Sequence, residues 1–249
     1  MKKILVFVAA ALMVMTGIAT GPANADNTPV RLELSLLVDV SGSVSASEFA
    51  LQRDGYVNVF SNANFYNNVI GSGAIAVNYI YWSGTGQQQQ TVGWSLIDSQ
   101  VSANAFAAAI AAAARPFSGS TAPGSAINFA VPLFASNSFD GLRQVIDVSG
   151  DGQQNIGAST TAARDAALLA GIDAINGLAI LGESGLLTWY NNNIKGGTGA
   201  FVLAANDFAD FQNAIDQKIQ REIVGTPEPL SLLLLGAGLF GLGILRRRD

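Results

Sequence analysis

Between residues 32 and 224, short strand-forming runs alternate with longer helix-like segments, and few architectures accept that order. The run at 32–38 alternates at first, then becomes continuously apolar and stops at Asp39, the pattern of a central strand buried on both faces. A helix is expected at 48–60, with Ser47 as N-cap and Phe49, Tyr56, Val57 and Phe60 on its apolar face. Strands at 74–82 and 91–94 flank the glycine- and glutamine-rich stretch 84–90, which reads as a hairpin connection placing one antiparallel strand at the sheet edge. Helices follow at 102–114 and 122–134, the second accepting Pro123 in its first turn. A strand at 143–149 leads to helix 160–170, strand 175–181, short helix 186–192, strand 199–204 and helix 208–224. The expected fold is α/β: a three-layer, doubly wound, mostly parallel sheet with one antiparallel edge strand, binding at the carboxyl ends of its strands.

The residue inventory limits what such a site can contain. The chain has 249 residues with no histidine and no cysteine. That removes imidazole and thiolate ligands, thiol nucleophiles, disulfides and every triad with a histidine base. Carboxylates, hydroxyls, amides and backbone oxygens remain, and they suit a hard cation.

Both ends differ from the middle. Residues 1–25 begin with Lys2 and Lys3, pass through an apolar run at 4–19 and close on Ala23, Asn24 and Ala25. This is the pattern of a secretory signal, cleaved between Ala25 and Asp26 by a signal peptidase. Residues 230–245 contain one serine among apolar residues and glycine, followed by Arg246, Arg247 and Arg248. As a helix that segment spans about 24 Å, enough to cross a membrane with help from its flanks. Its arginines belong on the cytoplasmic side. From Asp26 to Pro229, eight Lys and Arg stand against seventeen Asp and Glu, a net of −9. No basic stripe is present to follow a phosphate backbone, so nucleic acid is not an expected partner.

The chemistry gathers after predicted strands. Asp39, Ser41 and Ser43 form a DxSxS run beyond the first strand, with Gly42 allowing a tight turn. Thr121 follows Gly119 and Ser120 in a second loop, and Asp151 lies between Gly150 and Gly152 after a later strand. Five oxygens from three strand ends would leave one position of an octahedron open for water or for a visiting carboxylate. Asp147 is a further acid inside a strand that should be buried, where a carboxylate is costly without a partner.

In these motifs the chain resembles the von Willebrand factor type A family across residues 30–224, with Asp39, Ser41, Ser43, Thr121 and Asp151 in the five roles of its metal-ion-dependent adhesion site (MIDAS). The resemblance implies a divalent cation, Mg2+ first and Ca2+ or Mn2+ as alternatives. The two aspartates would act partly through coordinated water and the hydroxyls more directly. The wording from Asp147 to Gly152 is similar to a bacterial subgroup with no assigned function. Residues 225–249, with Pro227, Glu228 and Pro229 before the apolar span and the arginines, resemble a PEP-CTERM sorting signal. That implies processing by an exosortase-type membrane enzyme, with the carboxyl-terminal helix in the membrane beforehand.

The expected function is an exported binding or adhesion module whose cation receives an acidic group from a protein or polysaccharide partner. It would pass through the inner membrane or periplasm and reside at the cell surface, in the matrix or in the medium. A metal-stabilised structural domain is the alternative. A metal-assisted hydrolase is the third reading, weakened by the lack of an evident general base.

Overall fold

The computed structural model describes residues 27–70 and 73–224. The expected signal with its Ala25–Asp26 junction, the Pro227–Glu228–Pro229 motif and the span at 230–245 lie outside the described residues. Among the described residues, no helix is long and apolar enough to cross a membrane.

The main sheet is built on β2 (Leu32–Asp39), in which every residue is buried. Parallel to it lie β3 (Ile75–Trp82) on one side and β6 (Gln144–Gly150) on the other. The edge strand β4 (Gln88–Ile97) runs antiparallel to β3, as expected. Beyond β6 come β7 (Ala174–Ile180) and then β9 (Val202–Ala205), both parallel. A two-residue strand, β8 (Gly196–Gly197), adds a short antiparallel pairing to the start of β7. The path β4-β3-β2-β6-β7-β9 changes direction between β2 and β6, and in open α/β sheets the crevice at such a reversal is where ligands bind.

Helices cover both faces. On one side α1 (Ala46–Ser61), α3 (Gln100–Ala111) and α7 (Phe211–Val224) pack on Leu34, Leu36, Val38, Tyr79 and Tyr81. On the other, α4 (Pro123–Ala135), α5 (Thr160–Leu169) and α6 (Leu186–Asn193) pack on Leu37, Ile80, Ile146, Val148 and Ile175. Successive strand residues point to opposite faces, so a continuously apolar strand feeds both layers. Where α1 meets α7, a Cβ on Gly55 would stand 2.8 Å from the Phe211 ring, and the close approach requires glycine.

Several local expectations are corrected. Ser45, not Ser47, caps α1: its hydroxyl accepts from Glu48 N while Glu48 Oε2 accepts from Ser45 N, a reciprocal capping box. Gln88, Gln89 and Gln90 pair with Trp82, Tyr81 and Ile80, so they belong to β4 and the turn is confined to 83–87. A helix α2 (Ala63–Ile70) and a small parallel sheet of β1 (Thr28–Val30) with β5 (Phe139–Gly141) were not anticipated. Three-residue strands leave too little periodicity to read. Pro132 lies within α4, which continues past it to Ala135.

Candidate metal site at the strand ends

Asp39 ends β2 and Gly150 ends the neighbouring β6, so the turns after them meet at the reversal of the sheet. Asp39 Oδ1 accepts from Ser41 N at 2.7 Å, curling the chain back over the strand end. Ser41 Oγ and Ser43 Oγ lie 3.2 Å apart, and Ser43 Oγ donates to Asp151 Oδ1 at 2.7 Å. The first and third loops are therefore in direct contact. The second is tied to the first by Gly42 N, which donates to Gly119 O at 2.7 Å. Thr121 Oγ1 would lie 3.6 Å from a Cβ on Gly152, and Thr121, Ser43 and Asp151 line one cleft of about 440 Å³. The structure thus brings together all five residues singled out in the sequence.

Supporting residues escaped the sequence reading. The Arg115 guanidinium donates to Val40 O, Ser41 O and Phe117 O at 2.9, 2.7 and 2.9 Å, clamping the first loop to the chain before the second. Asn155 Oδ1 accepts from Thr121 N at 2.9 Å while Asn155 N donates to Thr121 O at 3.0 Å. Buried Ser83, just past β3, accepts from Gly119 N at 2.7 Å and donates to Ser120 O at 3.1 Å. Gln52 of α1 donates to Asp39 O at 2.8 Å. Each is an ordinary polar residue made important by a contact distant in sequence.

The electrostatics of the cluster are unbalanced. Asp39 is fully buried and its Oδ2 has no hydrogen-bond partner. Burial, then the nearby Asp151 charge, pushes its pKa up to about 7, against hydrogen bonds from Ser41 and from the Asp151 backbone. Asp151 is also raised, by burial first and by Glu48 and Glu183, while the Ser43 hydrogen bond opposes the rise. Among the described residues no lysine or arginine lines the cleft, whereas Glu48, Glu183 and Asp207 do. Among the described residues, neither Asp39 nor Asp151 joins an ion pair. Nor do three or more acidic side chains cluster as a metal cage there, so hydroxyls would have to complete any shell. A buried carboxylate oxygen without a partner, beside two hydroxyls and a second carboxylate and in no ion pair, is a donor set that fits a small divalent ion.

Asp147 does not face this site. It points to the opposite side of the sheet, toward α7, where Lys218 Nζ contacts its Oδ1. Gly150 carries the close approach at the site itself: a Cβ there would lie 2.8 Å from both Asp39 Oδ2 and the Tyr190 hydroxyl.

Residues 29–227 match a family described as protein of unknown function (DUF1194). No curated protein matches the sequence. Among solved structures, similarity extends to proximal thread matrix protein 1 from the mussel byssus, at TM-score 0.59 and 15% identity over 80% of this chain and 50% of that one. That protein is also known with a zinc-occupied MIDAS motif, at TM-score 0.55 and 16% identity over 81% of this chain and 46% of that one. The pilus adhesin SpaC from Lactobacillus rhamnosus GG aligns at 0.57 and 13% identity, covering 78% and 30%. A von Willebrand factor type A structure from Catenulispora acidiphila aligns at 0.54 and 14%, covering 79% and 43%. The chain spans half or less of the length of each, and these likenesses establish a von Willebrand factor A-type fold.

Proposed function

Because the chain belongs to the DUF1194 family, whose function is unknown, we propose its role from the site: an exported adhesion or matrix module that binds a divalent cation through Asp39, Ser41, Ser43, Thr121 and Asp151. The cation then receives an acidic group from a protein or polysaccharide partner. The observation that carries this reading is the fully buried Asp39 carboxylate, whose Oδ2 has no hydrogen-bond partner and which joins no ion pair among the described residues. The acidic lining from Glu48, Glu183 and Asp207 would repel an acidic visitor unless the ion were in place. Mg2+ is the proposed ion, with Ca2+ or Mn2+ as alternatives. The zinc-occupied motif of the byssus protein supports divalent binding by this fold. Export, signal-peptidase cleavage before Asp26 and exosortase-type processing at Pro227, Glu228 and Pro229 are proposed from the sequence. The matrix and pilus proteins sharing the fold are consistent with a surface or extracellular location.

Calorimetric titration with MgCl2 tests the site. One ion should bind the wild-type protein, and none should bind Asp39→Ala. Thr121→Ala should bind more weakly. Equal binding by all three proteins would overturn the assignment. Screening immobilised acidic glycans and proteins, with Mg2+ and again with chelator, should show captures that disappear with the metal.

A further inference from the structure

A second polar cluster lies on the far face of the sheet. Lys218 and Glu222 stand one turn apart on α7, Asp147 and Asn176 project from β6 and β7, and all four are buried, with Lys218, Asp147 and Asn176 wholly so. Lys218 Nζ touches Asp147 Oδ1 and donates to Glu222 Oε1 at 2.8 Å. Asn176 donates to Glu222 Oε2 at 2.7 Å and accepts from Phe201 N at 2.8 Å, fixing the Glu222 carboxylate. The Phe201 ring lies 5.4 Å from Nζ, and the Tyr56 and Phe211 rings pack 5.7 Å apart in the same core. Asp147 Oδ2 has no hydrogen-bond partner. An amine, a carboxyl group and a proton acceptor are therefore held together in a dry, aromatic site.

We infer that Lys218 and Asp147 condense into an intramolecular amide, with Glu222 accepting the proton that frees the amine. The Lys218 ammonium gives a proton to Glu222 Oε1, and the Nζ lone pair attacks Cγ of the protonated Asp147 carboxyl group. The Cγ–N bond forms, one Cγ–O bond breaks, and that oxygen leaves as water with two protons. Ammonium, carboxylic acid and carboxylate become amide, water and the Glu222 acid, with no oxidant or cofactor. Burial favours the protonated form of Asp147, which supports the electrophile. The reacting groups begin as one cation, one carboxylic acid and one carboxylate and end uncharged, removing two charges that are expensive to hold away from water. The fixed contacts replace an encounter between two molecules, which makes an otherwise unfavourable condensation accessible. The product would fasten α7 covalently to the strand that carries Asp151 at its end.

The full chain, purified, denatured and digested with trypsin, tests the bond directly. An amide at Lys218 blocks cleavage there, so residues 144–164 and 196–221 should appear as one branched peptide, lighter by one water than the sum of the two. Separate peptides, with cleavage after Lys218 and unmodified Asp147, would overturn the proposal and leave a buried ion cluster. The Glu222→Gln variant, checked for folding by circular dichroism, should yield the separate peptides. A wild-type yield of branched peptide from it would overturn the role given to Glu222. The wild-type digest decides the bond even if the variant fails to fold.

Discussion

Asp39 at the end of β2 and Asp147 in the middle of the neighbouring β6 are both fully buried, and burial raises the pKa of both, to about 7 and about 6. They differ in what neutralises them. Asp147 has Lys218 of α7 against it, which neutralises it as an ammonium and, once condensed, as an amide. Asp39 has two serines, an aspartate and an orphaned oxygen. A fold that buries two acids and provides a counter-charge for one leaves the other dependent on protons or on an ion from solution. The far cluster is internally closed, and the strand-end cluster is open.

The sharpest way to break that contrast is to remove Lys218, the internal partner. Lys218→Met should destabilise the protein by about 3–5 kcal/mol, the usual consequence of stranding buried carboxylates, read by urea denaturation. A change below about 1 kcal/mol would show that Asp147 and Glu222 do not need Lys218, and the contrast would fail. The matching substitution at the open site should behave differently: Asp39→Asn removes a charge with no partner, so metal-free stability at pH 8 should hold or rise. Gly150→Ala is next in size, costing about 1–3 kcal/mol by overpacking against Asp39 and Tyr190, with weakened Mg2+ binding in the same titration. Ser99→Ala, at the end of the sheet away from the strand-end cluster, should cost about 1 kcal/mol through loss of the α3 cap and leave the metal affinity unchanged.

The pH dependence sharpens the comparison. An acid whose pKa is higher in the folded state holds its proton more tightly when folded, so unfolding releases a proton between the two values. For Asp39 that window runs from 3.8 to about 7. Metal-free stability should fall as pH rises through it and level off above. With saturating Mg2+ the fall should be smaller, because the ion replaces the proton, and Mg2+ affinity should rise over the same interval. Thermal melts at a series of pH values, with and without the ion, measure both.

How much of this was legible follows from where each signal resides. The sheet could be read because β2, β3, β6 and β7 are long, apolar and separated by helices, and the proximity of the five candidate residues because loops after such strands meet at one end. Ser45 was within reach: its spacing from Glu48 fits a capping box, whereas Ser47 is adjacent to Glu48. Arg115, Asn155, Ser83 and Gln52 were not, since each acts through a contact set only by the fold. The same holds for Asp147, whose partner Lys218 lies far along the chain and is placed by the packing of α7 on β6 and β7. The short strands β1, β5 and β8 exist only because neighbouring backbone completes their hydrogen bonds.

The most direct test of an open, cation-requiring Asp39 is the melting temperature of the wild-type protein and of Asp39→Asn at pH 8, each with and without millimolar Mg2+. A ligand that binds only the folded state raises the melting temperature by mass action. The wild type should therefore gain with Mg2+ while Asp39→Asn does not respond. An unresponsive wild type, or an equal gain in both proteins, would contradict the account.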